Sequence, residues 1–285
     1  MKPLGRSGKY TWTAIVFFTL LVCLGCRSGE EEAEVENIEF NMQQGSFFLD
    51  RAMWEKAAEE YKKALAIDPN RPEAHDGLGV AYFWLGRYQE AVSSYKEAVR
   101  LKSDYAEAHY GLGAAYGELG RWEEAVESYR EAIRIKPRYA VAHSNLGQAC
   151  GELGHWEEAV MCFVEAIQLK PDQAEAHYGL GVAYGELGRY EEAIETYREA
   201  IRLRPDLTEA HYNLAVAHRE LGSLEELVGE LRETCLLNPE DAVSRVTLGC
   251  AYLVLSDRSA ALEQYSILKD VNPALARDLL AQINK

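Results

Sequence analysis

A self-similarity of period 34 constrains this chain more than any other feature. Residues 106–137 (AEAHYGLGAAYGELGRWEEAVESYREAIRIKP) and 174–205 (AEAHYGLGVAYGELGRYEEAIETYREAIRLRP) match at 26 of 32 positions, at an offset of 68, twice 34. With repeat position 1 at residues 38, 72, 106, 140, 174, 208 and 242, position 20 reads Ala57, Ala91, Ala125, Ala159, Ala193, Leu227 and Ala261. Position 24 reads Tyr61, Tyr95, Tyr129, Phe163, Tyr197, Leu231 and Tyr265, and Pro stands at position 32 in every unit except the second, which has Ser103. The seven units run from 38 to 275 without insertion or deletion. A unit this short buries its apolar face only against its neighbours, so the period demands a stacked array.

Each unit reads as two helices. In 106–119, Leu112, Ala115, Tyr116 and Leu119 recur at helical spacing, and Gly120 follows where a helix end favours positive φ. The second helix, 123–136, carries Ala125, Val126, Tyr129, Ala132 and Ile133 on one face, and Pro137 closes it. Small residues at positions 8 and 20 let the helices approach closely. This pattern resembles the tetratricopeptide repeat (TPR) family, with L-G, Y, A, aromatic, A and P at these offsets. The resemblance implies an all-α, right-handed superhelical solenoid of seven helix-turn-helix TPR units. Their bounds are 38–71, 72–105, 106–139, 140–173, 174–207, 208–241 and 242–275. Leu275, Leu279, Leu280 and Ile283 form one stripe, predicting a C-terminal capping helix that ends within 276–285. Departures are local: Gln44 replaces Leu in the first unit, and Leu227, Leu231 and Thr234 mark the sixth.

The first 26 residues hold Lys2, Arg6 and Lys9, no acid, and an apolar run from Ala14 to Gly25 broken only by Thr19. That is the layout of an export signal. As a helix the run spans about 18 Å against a hydrocarbon core near 30 Å. Its end, Val22-Cys23-Leu24-Gly25-Cys26, resembles the lipobox of bacterial lipoproteins, although Cys23 stands where that family favours Leu. The resemblance implies lipidation at Cys26. An uncleaved transmembrane anchor and a plain cleaved signal are the alternatives. Residues 27–37, with five acids and Arg27, read as an acidic tether, or near their end as an acidic first helical turn.

Net charge is −16, from 30 Lys+Arg against 46 Asp+Glu. Without residues 1–25 it becomes −19, of which 27–37 hold −4 and the repeats onward −15. Such acidity argues against nucleic acid, whose phosphates need clustered cations. His75, His109, His143, His177 and His211 recur at 34-residue steps. Stacked helices stand roughly 8–10 Å apart, too far for successive rings to share a zinc ion with ligands at about 2.1 Å. Half-buried rings in the family's aromatic slot are the expectation, with no metal and no cofactor. Cys150, Cys162, Cys235 and Cys250 could pair in an oxidising compartment, yet buried free thiols are common. Gly111-Leu112-Gly113 lacks the strand and third glycine of a dinucleotide loop. The recurrent Glu123-Glu124 and Glu157-Glu158 pairs suit helix N-termini better than acid–base chemistry.

In TPR solenoids the first helices line the concave surface, and positions 2, 5, 9, 12 and 13 share one face. The partner-binding groove expected there has acids at position 2 (Glu73, Glu107, Glu175, Glu209) and rings at position 5 (Tyr110, Tyr178, Tyr212). Asn145, Asn213 and Gln148 add amides. Position 13 supplies Trp84, Glu118, Glu152 and Glu186, and position 12 supplies Gly117, Gly151 and Gly185. Each mid-helix glycine costs about 1 kcal/mol against Ala. Three in register predict a track for a partner's backbone, or a tolerated residue copied by duplication. Acids in place of a Lys/Arg clamp point to extended or helical partner segments that are basic and apolar, with cation–π contacts to the tyrosines.

The expected function is a non-enzymatic, membrane-anchored scaffold that binds other proteins in a cell-envelope assembly outside the cytoplasm. The chain ends ten residues after the last repeat, which leaves no room for a catalytic domain. The alternative is an accessory subunit of a separate glycosyltransferase or peptidoglycan hydrolase.

Overall fold

The computed structural model describes residues 34–285; the signal and lipidation readings at 1–26, and most of the tether, lie outside them. Among the described residues there are fifteen helices and no strand. The chain divides into two compact units, one ending at Ala115 and the other running from Tyr116 to Lys285. The first holds α1 (34–49), α2 (Trp54–Ile67), α3 (Pro72–Trp84), α4 (Tyr88–Leu101) and most of α5 (Ala106–Glu118). The second holds the end of α5, then α6 (Trp122–Ile135), α7 (Ala140–Glu152), α8 (Trp156–Leu169) and α9 (Ala174–Glu186). It continues through α10 (Tyr190–Leu203), α11 (Thr208–Glu220), α12 (Leu224–Leu237), α13 (Ala242–Val254), α14 (Arg258–Val271) and α15 (Pro273–Ile283).

The 34-residue register maps onto helix pairs, and each second helix of the first six units ends two residues before position 32. One boundary differs. Helix α1 begins at residue 34, so residues 34–37 of the expected tether form its first turn. Glu34 and Glu36 suit that place because acids complement the positive end of a helix dipole.

Glycine ends the first helix of five units. Gly86, Gly120, Gly154, Gly188 and Gly222 take φ between 69° and 75°, and the next amide reaches back to close the turn, as Arg87 N does to Tyr82 O at 2.9 Å. Elsewhere glycine makes room for a ring. A Cβ on Gly147 or Gly179 would lie 3.1 Å or 2.4 Å from the Phe163 ring, so the position 24 aromatic sits between two helices that lack side chains there. Tyr95 is seated in the same way against Gly79 and Gly111.

The expected aromatic slot at position 4 also carries a hydrogen bond. Nε2 of His75, His143, His177 and His211 donates to the carbonyl of Pro69, Pro137, Pro171 and Pro205, each at 2.9 Å, and His109 to Ser103 O at 3.1 Å. Each imidazole thus ties the first turn of one helix to the end of the preceding one. Arg245 does the same in the seventh unit, donating to Pro239 O at 2.9 Å. His211 is fully buried, and its Nδ1 accepts from the Thr247 hydroxyl. Burial pulls its pKa down to about 4, so the ring is neutral at ordinary pH.

Leu227, where other units have Ala, is buried with Leu224, Val228, Leu248 and Val254. Helix α15, capped by Asn272 with Pro273 at its first turn, buries Leu275, Leu279 and Ile283 against Val246, Cys250 and Leu268. Leu280 is only half-buried. Cys150, Cys162, Cys235 and Cys250 are all buried free thiols.

Candidate protein-interaction face

In the first unit the expected face residues lie along α3 and α5. Trp84 is 60% exposed, stacks on Trp54 with ring centroids 5.5 Å apart, and has Phe83 at its edge. Glu73 is exposed, with Lys102 Nζ 3.8 Å away, Glu107 is exposed, and Tyr110 is half-buried. Asp76 holds position 5, where the third, fifth and sixth repeats have Tyr. The Tyr105 hydroxyl donates to its carboxylate at 3.2 Å. Burial, with smaller repulsion from Glu107 and Glu73, pushes its pKa up to about 6. Its signal in the sequence is an acid at a position where no other repeat carries a charge.

In the second unit a cavity of about 650 Å³ opens along α7 and α9, lined by Asn145, Gln148, Gly151, Glu152, Trp156, Glu175, Tyr178 and Val182. Five residues expected to face a partner thus meet with Tyr178 in one place. A second cavity of about 540 Å³ is lined by Tyr178, Glu209, Tyr212, Asn213, Leu253, Arg258 and Gln282. Between them, the Asn213 amide donates to the Tyr178 hydroxyl at 3.3 Å, and Tyr178 leans on Tyr197 with centroids 6.0 Å apart. Burial and the Glu209 carboxylate raise the Tyr178 pKa, so the ring stays protonated. Gly185 and Glu186 line a third cavity of about 340 Å³, with Tyr190 and Asn213.

The geometry revises two expectations. At Gly117 and Gly151 the close approach is made within the chain: a Cβ there would lie 3.2 Å and 2.9 Å from the indoles of Trp122 and Trp156. Only Gly185 faces open space, with the Tyr197 hydroxyl 3.7 Å away, because Tyr190 replaces the Trp. The face is also less negative than its residue types imply. Glu175 is paired with Arg204, and Lys102 approaches Glu73. Glu118, Glu152 and Glu186 are exposed carboxylates without an ion pair among the described residues. Separately, arginines stack on the position 11 rings of three repeats. Arg87 lies over Tyr82 at 4.5 Å, Arg121 over Tyr116 at 4.6 Å, and Arg189 over Tyr184 at 4.4 Å.

No group of three or more His, Cys, Asp or Glu among the described residues is placed to hold a metal ion. No described helix is long and apolar enough to cross a membrane.

Comparison with solved structures returns similar chains, among them proteins described as TPR proteins. A structure of MamA is 29% identical over 59% of this chain and 92% of its own, with a TM-score of 0.55. YrrB, described as a TPR protein with an unusual peptide-binding site, is 26% identical over 65% of this chain and 94% of its own, with a TM-score of 0.56. PilF of Pseudomonas aeruginosa is 19% identical over 88% of this chain and 99% of its own, at a TM-score of 0.61, a likeness of fold alone. No curated protein matches the sequence. The family model of the Cilia and flagella-associated protein 70 C-terminal domain, a TPR domain, matches residues 47–272, and the chain belongs to that TPR family.

Proposed function

We propose that this protein is a non-enzymatic scaffold whose first-helix face binds extended or helical segments of other proteins, selecting those with Lys or Arg beside apolar residues. The carrying observation is the 650 Å³ cavity in which Glu152 stands beside Trp156, Tyr178 and the exposed Gln148 amide. It offers an apolar wall, an amide for a partner's backbone and an uncompensated carboxylate. Glu118 and Glu186 repeat that carboxylate in the neighbouring pairs, which favours cationic segments over acidic tails. The peptide-binding site described for YrrB supports the mode of use.

The test is calorimetric titration with peptides of matched length, basic-apolar against acidic-apolar, as salt rises. The basic series should bind and weaken with salt, and Glu118, Glu152 and Glu186 changed together to Gln should weaken it further. Preference for the acidic series, or affinity indifferent to salt, overturns the reading.

The N-terminal sequence supports placing this scaffold at a bacterial cell envelope, outside the cytoplasm, held by lipid on Cys26. Intact mass of the membrane-extracted protein tests the anchor. A mature chain that starts at diacylated Cys26 supports it, and an intact Met1 supports a transmembrane anchor instead. Crosslinking in envelope extract separates a structural assembly from service as an accessory subunit of a glycosyltransferase or peptidoglycan hydrolase.

A further inference from the structure

Arg245 on α13 is the least compensated charge among the described residues of the second unit. Its side chain is buried, with 6% of its surface exposed. Its guanidinium donates to two neutral acceptors, Gln264 Oε1 at 3.1 Å and Pro239 O at 2.9 Å, while its Nε has no partner. No carboxylate among the described residues lies within salt-bridge distance of it. A buried cation without a counter-charge forfeits its hydration for little return. Arginine carries five N–H donors in a planar fork that suits a carboxylate, so two acceptors leave most of that fork unused.

Arg245 also lines a cavity of about 670 Å³ formed by α12, α13 and α14, with Arg232 as a second, exposed cation in the lining. Leu236, Leu248 and Ile267 give it apolar walls, and its volume falls in the range of small-molecule sites, roughly 300–1,000 Å³. Leu236 is 79% exposed, an open apolar surface beside the cavity floor. Glu233 and Glu263 also line it, both largely in water. With Arg232 and Arg245 they balance the formal charge of the lining. None of these residues belongs to the face proposed above for protein partners.

We propose that this cavity binds a free monocarboxylic acid with an apolar chain, its carboxylate on Arg245 and its chain along Leu236, Leu248 and Ile267. The anion supplies a charged acceptor to a guanidinium that otherwise has only neutral ones, and the chain covers apolar surface that is otherwise wet. A second carboxylate on the chain would lie against those apolar walls, which disfavours dicarboxylates.

Calorimetric titration of the full chain with octanoate tests this, with octanol, acetate and suberate as comparison probes. Octanoate should bind at one site. Octanol, acetate and the dicarboxylate suberate should each bind at least about tenfold more weakly, the loss expected for one charge-assisted hydrogen bond or for the chain. Arg245→Gln, which keeps an amide donor for Pro239 O, should weaken octanoate by a similar factor. Leu236→Glu, at a site too exposed to affect folding, should do the same, and Glu263→Gln should leave the fold intact and tighten binding. Equal affinity for octanol and octanoate, unchanged binding in both Arg245→Gln and Leu236→Glu, or the absence of saturable octanoate binding overturns the proposal. So does unfolding by Glu263→Gln, which would make Glu263 the partner of Arg245.

Discussion

Ala52 and Ser256 occupy the helix-ending slot that glycine holds in the five units between them, with φ of 55° and 63°. A side chain in the left-handed region costs about 1 kcal/mol or more. Ala52→Gly and Ser256→Gly should therefore each raise the thermal midpoint by a few degrees, and Gly120→Ala should lower it by a similar amount. Two titrating residues act with opposite signs. Burial lowers the His211 pKa to about 4 from an ordinary 6.5, so the unfolded chain takes up that proton first. Its contribution is full above about pH 6.5 and is lost as pH falls towards 4. The Asp76 pKa is raised from 3.8 to about 6, so folding loses stability as pH rises through that window. Asp76→Asn should raise the melting midpoint at pH 8 and leave it nearly unchanged at pH 3.5. Melting curves of His211→Gln against pH should lose the fall between pH 6.5 and 4.

At the scale of the helix pair, glycine serves two purposes that sequence alone does not separate. Gly179→Ala would drive a Cβ to 2.4 Å from the Phe163 ring and should cost about 1–3 kcal/mol in chemical denaturation. Gly185→Ala meets only ordinary contact and should stabilise α9 by up to about 1 kcal/mol through helix propensity. If the face binds peptides as proposed, that same substitution narrows the notch beside Tyr190 and weakens them, a split between stability and binding that two titrations on one variant reveal. The fourth unit shows how pairs trade parts. Units two, three and five join Arg at position 16 to Glu at position 19 and stack it on a Tyr. The fourth has His155 and Cys150 instead, and its Glu158 pairs with Arg130 of the preceding pair. The neighbouring Cys162 thiol and burial raise the Cys150 pKa there.

At the scale of the whole molecule, stability is a sum of nearest-neighbour contacts, so an end without its cap frays first. Deleting residues 273–285 strips Leu275, Leu279 and Ile283 from Val246, Cys250 and Leu268. The loss should be about 5 kcal/mol or more at 1.5–3 kcal/mol per buried side chain. Hydrogen exchange should show it as lost protection in α13 and α14, with α7 and α8 unaffected.

The period of 34 by itself determined the helix pairs, their bounds to within a residue or so after the early start of α1, the left-handed glycines and the terminal cap, because each rests on local spacing. It also gave the expectation of a shared face, since equivalent positions on stacked helices share a side. Only the tertiary structure decided which of those residues are spent internally. Trp122 and Trp156 fill two of three glycine positions, Arg204 neutralises Glu175, and Tyr178 takes the Asn213 amide. The histidine bridge to a carbonyl six residues back, and the buried charge of Arg245, were likewise invisible in the pattern. Both depend on how far one helix end stands from the next, a distance that packing sets and periodicity does not contain.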